Sequence, residues 1–222
     1  MSTYLYLDIE TLPPQWSPAQ IEAHARANVP GNISKPETIE KWVAENAGEY
    51  HAKLALDWRH SRILCLATAA GDAEPTVSYS EECAPRPILD HLDAAIRGAM
   101  RESHGAMPKL VGHFLLGFDL PRLYLLACRE RHPVAALLPW EKWSKRLVCT
   151  KELASGPDPR ALTAKLSDLA TYLGLGAKGE GLDGSEVWPA YQRGEHQRIA
   201  DYCAQDVRLC RDVHRALTGD WR

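Results

Sequence analysis

Four acids and a tyrosine, spread over three stretches of the chain, have the types and spacing that chemistry needs. Asp8-Ile-Glu10 ends an N-terminal run that alternates at period two, so Leu5, Leu7 and Ile9 share one face of a strand and Tyr6, Asp8 and Glu10 the other. A strand leaving the sheet into solvent through polar residues would look the same. Asp119 lies in Gly112-His-Phe-Leu-Leu-Gly-Phe-Asp-Leu-Pro121, after a strand-like run and at the start of a helical one. An acid there also suits a helix N-cap, with Pro121 tolerated in the first turn. Tyr202 and Asp206 stand one i,i+4 step apart in a helix whose apolar stripe comprises Ile199, Cys203, Leu209, Cys210, Val213 and Leu217. A carboxylate aimed into such a stripe is costly unless a backbone group, an arginine or a cation compensates it.

Brought together, the four carboxylates would repel, each pair at ~4 Å costing on the order of 4 kcal/mol at an effective dielectric near 20. Divalent cations remove that conflict, and two of them nearly balance four negative charges. Oxygen donors without Cys or His in the motifs favour Mg²⁺ or Mn²⁺ over structural zinc. On this reading the compensation for Asp206 comes from metal ions and not from a buried cation of the protein. Cys203 and Cys210 are poor nucleophile candidates, because the sequence places no base to activate them. His113 suits either a phosphate contact or a hydrogen-bonded structural role.

The elements that must position these groups follow from periodicity. Strands are expected at 3–10, 62–70, 75–79, 109–113 and 146–150, and the second and third, joined by Gly71-Asp72, must be antiparallel. Helical pattern covers 87–101, 119–131, 164–173 and 195–217. This order predicts an α/β fold, a mixed five-stranded sheet with helices on both faces. The stretch 13–60 is long for a connection between strands, and 36–56 has helical character, so a helical insertion after the first strand is expected within one domain spanning 1–222.

Composition narrows the classes. The 222 residues are 45% apolar with a net charge of -3, enough for a large core and too acidic for a histone-like surface, so any polyanion contact needs a local patch or bound cations. Six cysteines form no CxxC pair and read as buried free thiols in a reducing compartment. No secretory leader and no run of eighteen apolar residues is present in the sequence, which points to a cytoplasmic protein without membrane contact.

The three motifs together resemble those of the DEDD superfamily of 3'-5' exonucleases in its tyrosine branch, which has a ribonuclease H-like fold: Asp8-Ile-Glu10 matches the first, Phe118-Asp119 the second and Tyr202-Cys-Ala-Gln-Asp206 the third. The chain is similar in particular to bacterial and phage proteins described as predicted exonucleases related to the proofreading domain of family B DNA polymerases. Ser34-Lys-Pro-Glu-Thr-Ile-Glu-Lys-Trp42, Ala55-Leu-Asp57, Lys165-Leu-Ser-Asp-Leu-Ala170 and Asp183-Gly-Ser-Glu-Val-Trp188 extend the likeness over nearly the whole chain. One departure stands out: the second motif commonly carries Asn four residues before its Phe, and this chain has Phe114.

The resemblance implies that Asp8, Glu10 and Asp206 hold one Mg²⁺ or Mn²⁺ and that Asp8 shares a second with Asp119. It implies that Tyr202 orients the attacking water and that nucleoside 5'-monophosphates leave single-stranded or frayed DNA 3' ends. Leu12 corresponds to an apolar wedge against terminal bases, while Phe118 and Trp188 are candidates for stacking, and Lys165, Lys178 and the helix of Trp42 for strand contacts; each equally suits the core or a solvated face. RNA 3'-end trimming is the near alternative, and a non-catalytic nucleic-acid or protein binding module the more distant one. Polymerase or helicase activity would come from separate replication or repair proteins.

Overall fold

The computed structural model describes residues 3–141, 144–158, 164–176 and 182–220. Lys178 lies outside them. In chain order the elements are β1 (Tyr4–Leu12), α1 (Pro18–Ala27), α2 (Pro36–Lys53), β2 (Arg62–Ala70), β3 (Thr76–Tyr79), α3 (Pro85–Glu102), β4 (Lys109–Gly112), α4 (Asp119–Arg129), β5 (Leu147–Cys149), α5 (Thr150–Ser155), α6 (Leu166–Tyr172), α7 (Val187–Gln192) and α8 (His196–Thr218). Short 3-10 turns at Leu54–Leu56, Pro133–Ala136 and Gly184–Glu186 fill the connections.

Five strands form one sheet in the order β3-β2-β1-β4-β5. The β1/β4 and β4/β5 pairs are parallel and β2/β3 is antiparallel, so the sheet is mixed, as the alternation of strands and helices predicts. The period-two pattern of β1 sorts its side chains as expected. Leu5, Leu7 and Ile9 join Ile88, Leu92 and Ile96 of α3 and Leu120 and Leu123 of α4 in the main core. On the other face the Tyr6 hydroxyl meets Nδ1 of His214 in α8 at 3.0 Å, and Cys203 of α8 meets Asp8. Burying a large aliphatic side chain contributes roughly 1.5–3 kcal/mol, so the sheet is anchored from both sides.

The chain divides into two compact units, one of residues Met1–Glu10 and Ile63–Arg222, the other Thr11–Arg62. The second corresponds to the expected insertion. Ala25, Val43 and Ala47 form its core, with Ile21, Ile39, Trp42 and Tyr50 packed against them, so Trp42 serves this small core. Its first helix, α1, is absent from the periodicity reading. The local signature for it is present: Ser17 caps Gln20, Gln20 caps back, and Pro18 sits in the first turn.

All six cysteines are free thiols, and Cys65, Cys149, Cys203 and Cys210 are buried, but Cys128 is exposed and Cys83 partly so, which corrects the expectation of burial throughout. Cys128 falls on the solvent side of α4, where nothing in a helical period forbids it. Among the described residues no helix is long and apolar enough to cross a membrane.

Candidate active site

Pairing of β1 with β4 runs from Tyr4–Lys109 to Tyr6–Val111, after which β4 turns away at Gly112. The next backbone donors of β1 would be left without a strand partner. Asp119 replaces it: the Ile9 amide donates to Asp119 Oδ1 at 3.1 Å. Asp119 is therefore the first helical residue of α4 and not its N-cap, a position occupied by Phe118 without a capping side chain. A backbone amide that needs an acceptor fixes the second-motif acid beside the first-motif acids.

The third motif arrives from α8. Tyr202 and Asp206 are both buried, and the Tyr202 hydroxyl donates to the Asp206 carboxylate one turn on. Cys203, between them, donates its thiol proton toward the Asp8 carbonyl at 3.4 Å and toward Asp8 Oδ2 at 3.6 Å. One ligating atom each from Asp8, Glu10 and Cys203 lie within 4.8 Å of one another. Burial pushes the Cys203 thiol well above its usual range, so it acts as a neutral donor.

Electrostatics report the convergence. Burial raises Asp8 well above the usual carboxylate range, and Asp119, Glu10 and Asp206 each add to the rise. Burial likewise raises Asp119 to about 7, against the lowering effect of the Ile9 hydrogen bond and of Arg122. The Tyr202 phenol is pushed far upward by burial and then by Asp206, Glu10 and Asp8. These groups perturb one another only because they share one site. A set of mutually repelling carboxylates, with Glu10, Asp119 and Asp206 buried and Asp8 partly so, fits a hard divalent cation.

Arg122 is the group that the sequence reading misses. It is buried, its guanidinium lies 3.7 Å from the centre of the Phe118 ring, and it donates to the Phe118 carbonyl at 2.9 Å. Asp119 therefore has a protein cation nearby, which lowers its pKa against the effect of burial. Its i,i+3 step from Asp119 was the available signal.

The candidate substrate contacts fare unevenly. Leu12 has no exposed surface, so here it packs as a core side chain. Phe118 is partly buried with Arg122 across its ring. Trp188 is partly buried and stacks on Tyr191 with ring centres 5.7 Å apart. Lys165 precedes α6 and is exposed. His113 is held by Thr150 Oγ1 at 2.9 Å and the Ala164 carbonyl at 3.1 Å, and burial lowers its pKa, which leaves a neutral structural histidine.

Phe114 explains its own oddity. Its φ is 60°, in the left-handed region where Asn is favoured and a bulky residue costs roughly 1–3 kcal/mol. Its carbonyl accepts the amides of Gly117 and Phe118, both at 3.0 Å, closing the turn that delivers Asp119. The common Asn suits this backbone.

Residues 91–209, more than half of the chain, match a family described as a predicted 3'-5' exonuclease related to the exonuclease domain of PolB. The chain belongs to this family. The matched span takes in Asp119, Tyr202 and Asp206 and begins after Asp8 and Glu10. Among solved structures, the family B DNA polymerase from the hyperthermophilic archaeon Pyrobaculum calidifontis is similar, with a TM-score of 0.59 and 16% identity. The likeness covers 95% of this chain and 24% of the polymerase chain, and at that identity it establishes the fold alone, a ribonuclease H-like α/β architecture. No curated protein matches the chain significantly.

Proposed function

We propose that the protein is a metal-dependent 3'-5' exonuclease that releases nucleoside 5'-monophosphates from single-stranded or frayed DNA 3' ends. The observation that carries this reading is the convergence of the acids: the Ile9 amide holds Asp119 beside the end of β1, Cys203 of α8 meets Asp8, and Asp8, Asp119 and Tyr202 all feel the charge of Asp206. Membership of the exonuclease family supports it.

Asp8, Glu10 and Asp206 would hold one Mg²⁺ or Mn²⁺, and Asp8 with Asp119 a second. Bound in this way, divalent ions supply Lewis-acid activation and neutralise charge at the reacting phosphate. The remaining work falls to the chain. The Tyr202 hydroxyl gives its proton to a hydrogen bond with Asp206, which leaves the phenolic oxygen to accept one from the attacking water and so orient it. Burial keeps that phenol protonated, so it positions the water and does not deprotonate it. The Ile9 amide fixes the Asp119 rotamer, and the Cys203 thiol steadies Asp8 from behind.

The test is shortening of a 5'-labelled oligonucleotide with Mg²⁺ or Mn²⁺, abolished by EDTA and by Asp8→Ala or Asp206→Ala. Shortening that survives both substitutions would reject the reading. Single- and double-stranded DNA and RNA in the same panel distinguish DNA ends from RNA trimming, and tight binding without cleavage under either metal would instead favour a binding module.

A further inference from the structure

The loop between β4 and α4 spends backbone energy to present a ring. Its middle residue, Leu115, is fully buried and fills the core position, while Phe114 is 44% exposed despite its left-handed backbone. Burial therefore explains little of why Phe stands where Asn would fit. The ring lies against Gly117: a Cβ on residue 117 would lie 2.3 Å from Phe114 Cε2, so any other residue there would displace the ring from this position. Above it the Lys151 ammonium, at the start of α5, lies 4.0 Å from the ring centre. A flat exposed ring, a cation over it and a loop that ends on Asp119 form a set with one coherent use.

We propose that Phe114 is a stacking site for a base of the single-stranded 3' end and that Lys151 pairs with a phosphate beside that base. The assignment rests on the exonuclease reading for its substrate class. A single strand alternates flat faces with negative charge, which is the complement of this pair, and stacking of this kind tolerates any base. When a base takes the ring face, the Lys151 ammonium swings on its four-carbon stem to the neighbouring phosphate. Strain retained at an exposed aromatic is thereby accounted for by what it holds.

The test uses Phe114→Asn, Phe114→Leu and Lys151→Met in the full chain. Dissociation constants for a fluorescent single-stranded oligonucleotide are measured in EDTA, and KM and kcat for its shortening in Mg²⁺. Both Phe114 variants should raise Kd and KM by roughly tenfold or more, with a much smaller change in kcat. Phe114→Asn should do so while raising Tm, since it relieves the backbone. Lys151→Met should lower the slope of log Kd against log salt by about one. Unchanged Kd and KM in Phe114→Asn would overturn the assignment, as would a fall in kcat alone. If the wild-type protein binds the oligonucleotide without ever shortening it, the exonuclease reading fails, and the Kd ratios still decide the role of Phe114.

Discussion

Replacing Asp119 by Asn tests the electrostatics of the site without touching its scaffold. The Asn side chain keeps an oxygen for the Ile9 amide, now 3.1 Å from Asp119 Oδ1, and removes the titration together with the repulsion that raises Asp8. Asp119 is 2% exposed and its pKa rises from the ordinary 3.8 to about 7. The sign follows from proton binding: between those values the folded state holds a proton that the unfolded chain has released. The stability of the protonated carboxyl is therefore fully present below 3.8 and is lost as pH rises through about 7. Three pH units correspond to about 4 kcal/mol in total, of which roughly 3 kcal/mol falls above pH 5. For a chain of this size that is a fall of roughly 5–10 °C in Tm between pH 5 and 8. Four histidines with lowered pKa, His24, His91, His113 and His214, act in the opposite sense, gaining stability as pH rises toward 6.5. The informative quantity is therefore the difference between Asp119→Asn and wild type, followed by calorimetry in EDTA. The variant should gain on the wild type steadily from pH 5 to 8 and be the more stable protein at pH 8. Superimposable pH profiles, or a gap that closes as pH rises, would refute the argument.

Two further substitutions address the neighbours of the acids. Tyr202→Phe keeps the buried ring and removes the oxygen that orients water, so kcat should fall on the order of 100-fold with KM little changed, and a proportional rise in KM would mean that the hydroxyl grips substrate instead. Arg122→Met removes a cation that opposes metal binding but also covers Phe118, so Mn²⁺ titration calorimetry should show tighter binding while urea denaturation shows a loss of about 1–3 kcal/mol; weaker Mn²⁺ binding would contradict this.

Periodicity carried the sheet and the main helices because both faces of β1 are committed, Leu5, Leu7 and Ile9 to α3 and α4, Tyr6 and Asp8 to α8. A one-residue slip would exchange the two sets, so the pattern had to be legible. The acids were legible for a related reason: Asp206 interrupts an apolar stripe, and nothing local explains it. What escaped was held by tertiary contact. The bond from Ile9 to Asp119 depends on where β4 ends, which no spacing reveals. The burial of Arg122 in α4 likewise depends on its surroundings in the fold, and Phe114 showed as a departure from a motif whose left-handed backbone only coordinates expose. The helices α1, α5 and α7, the last two of six residues each, are too short or too polar to display a period.

Helix α8 joins stability to chemistry in this fold. It contributes Tyr202 and Asp206, holds Asp8 through Cys203, and is pinned to β1 again where His214 meets Tyr6 at 3.0 Å. Ile199, Val207 and Val213 along the same helix are fully buried, and each such side chain contributes roughly 1.5–3 kcal/mol. Like-charge repulsion within the acid cluster, on the order of 4 kcal/mol for a close pair, pulls against that burial. The metal-free fold is therefore held together at the site by apolar packing that the carboxylates oppose. A divalent ion bound to Asp8 and Asp206 would remove the opposition, so its binding free energy adds to the free energy of folding. Melting temperature should then rise with Mn²⁺ in the wild-type protein and rise clearly less in Asp206→Asn, which has lost one of the carboxylates that the ion relieves; an equal rise in both would contradict this.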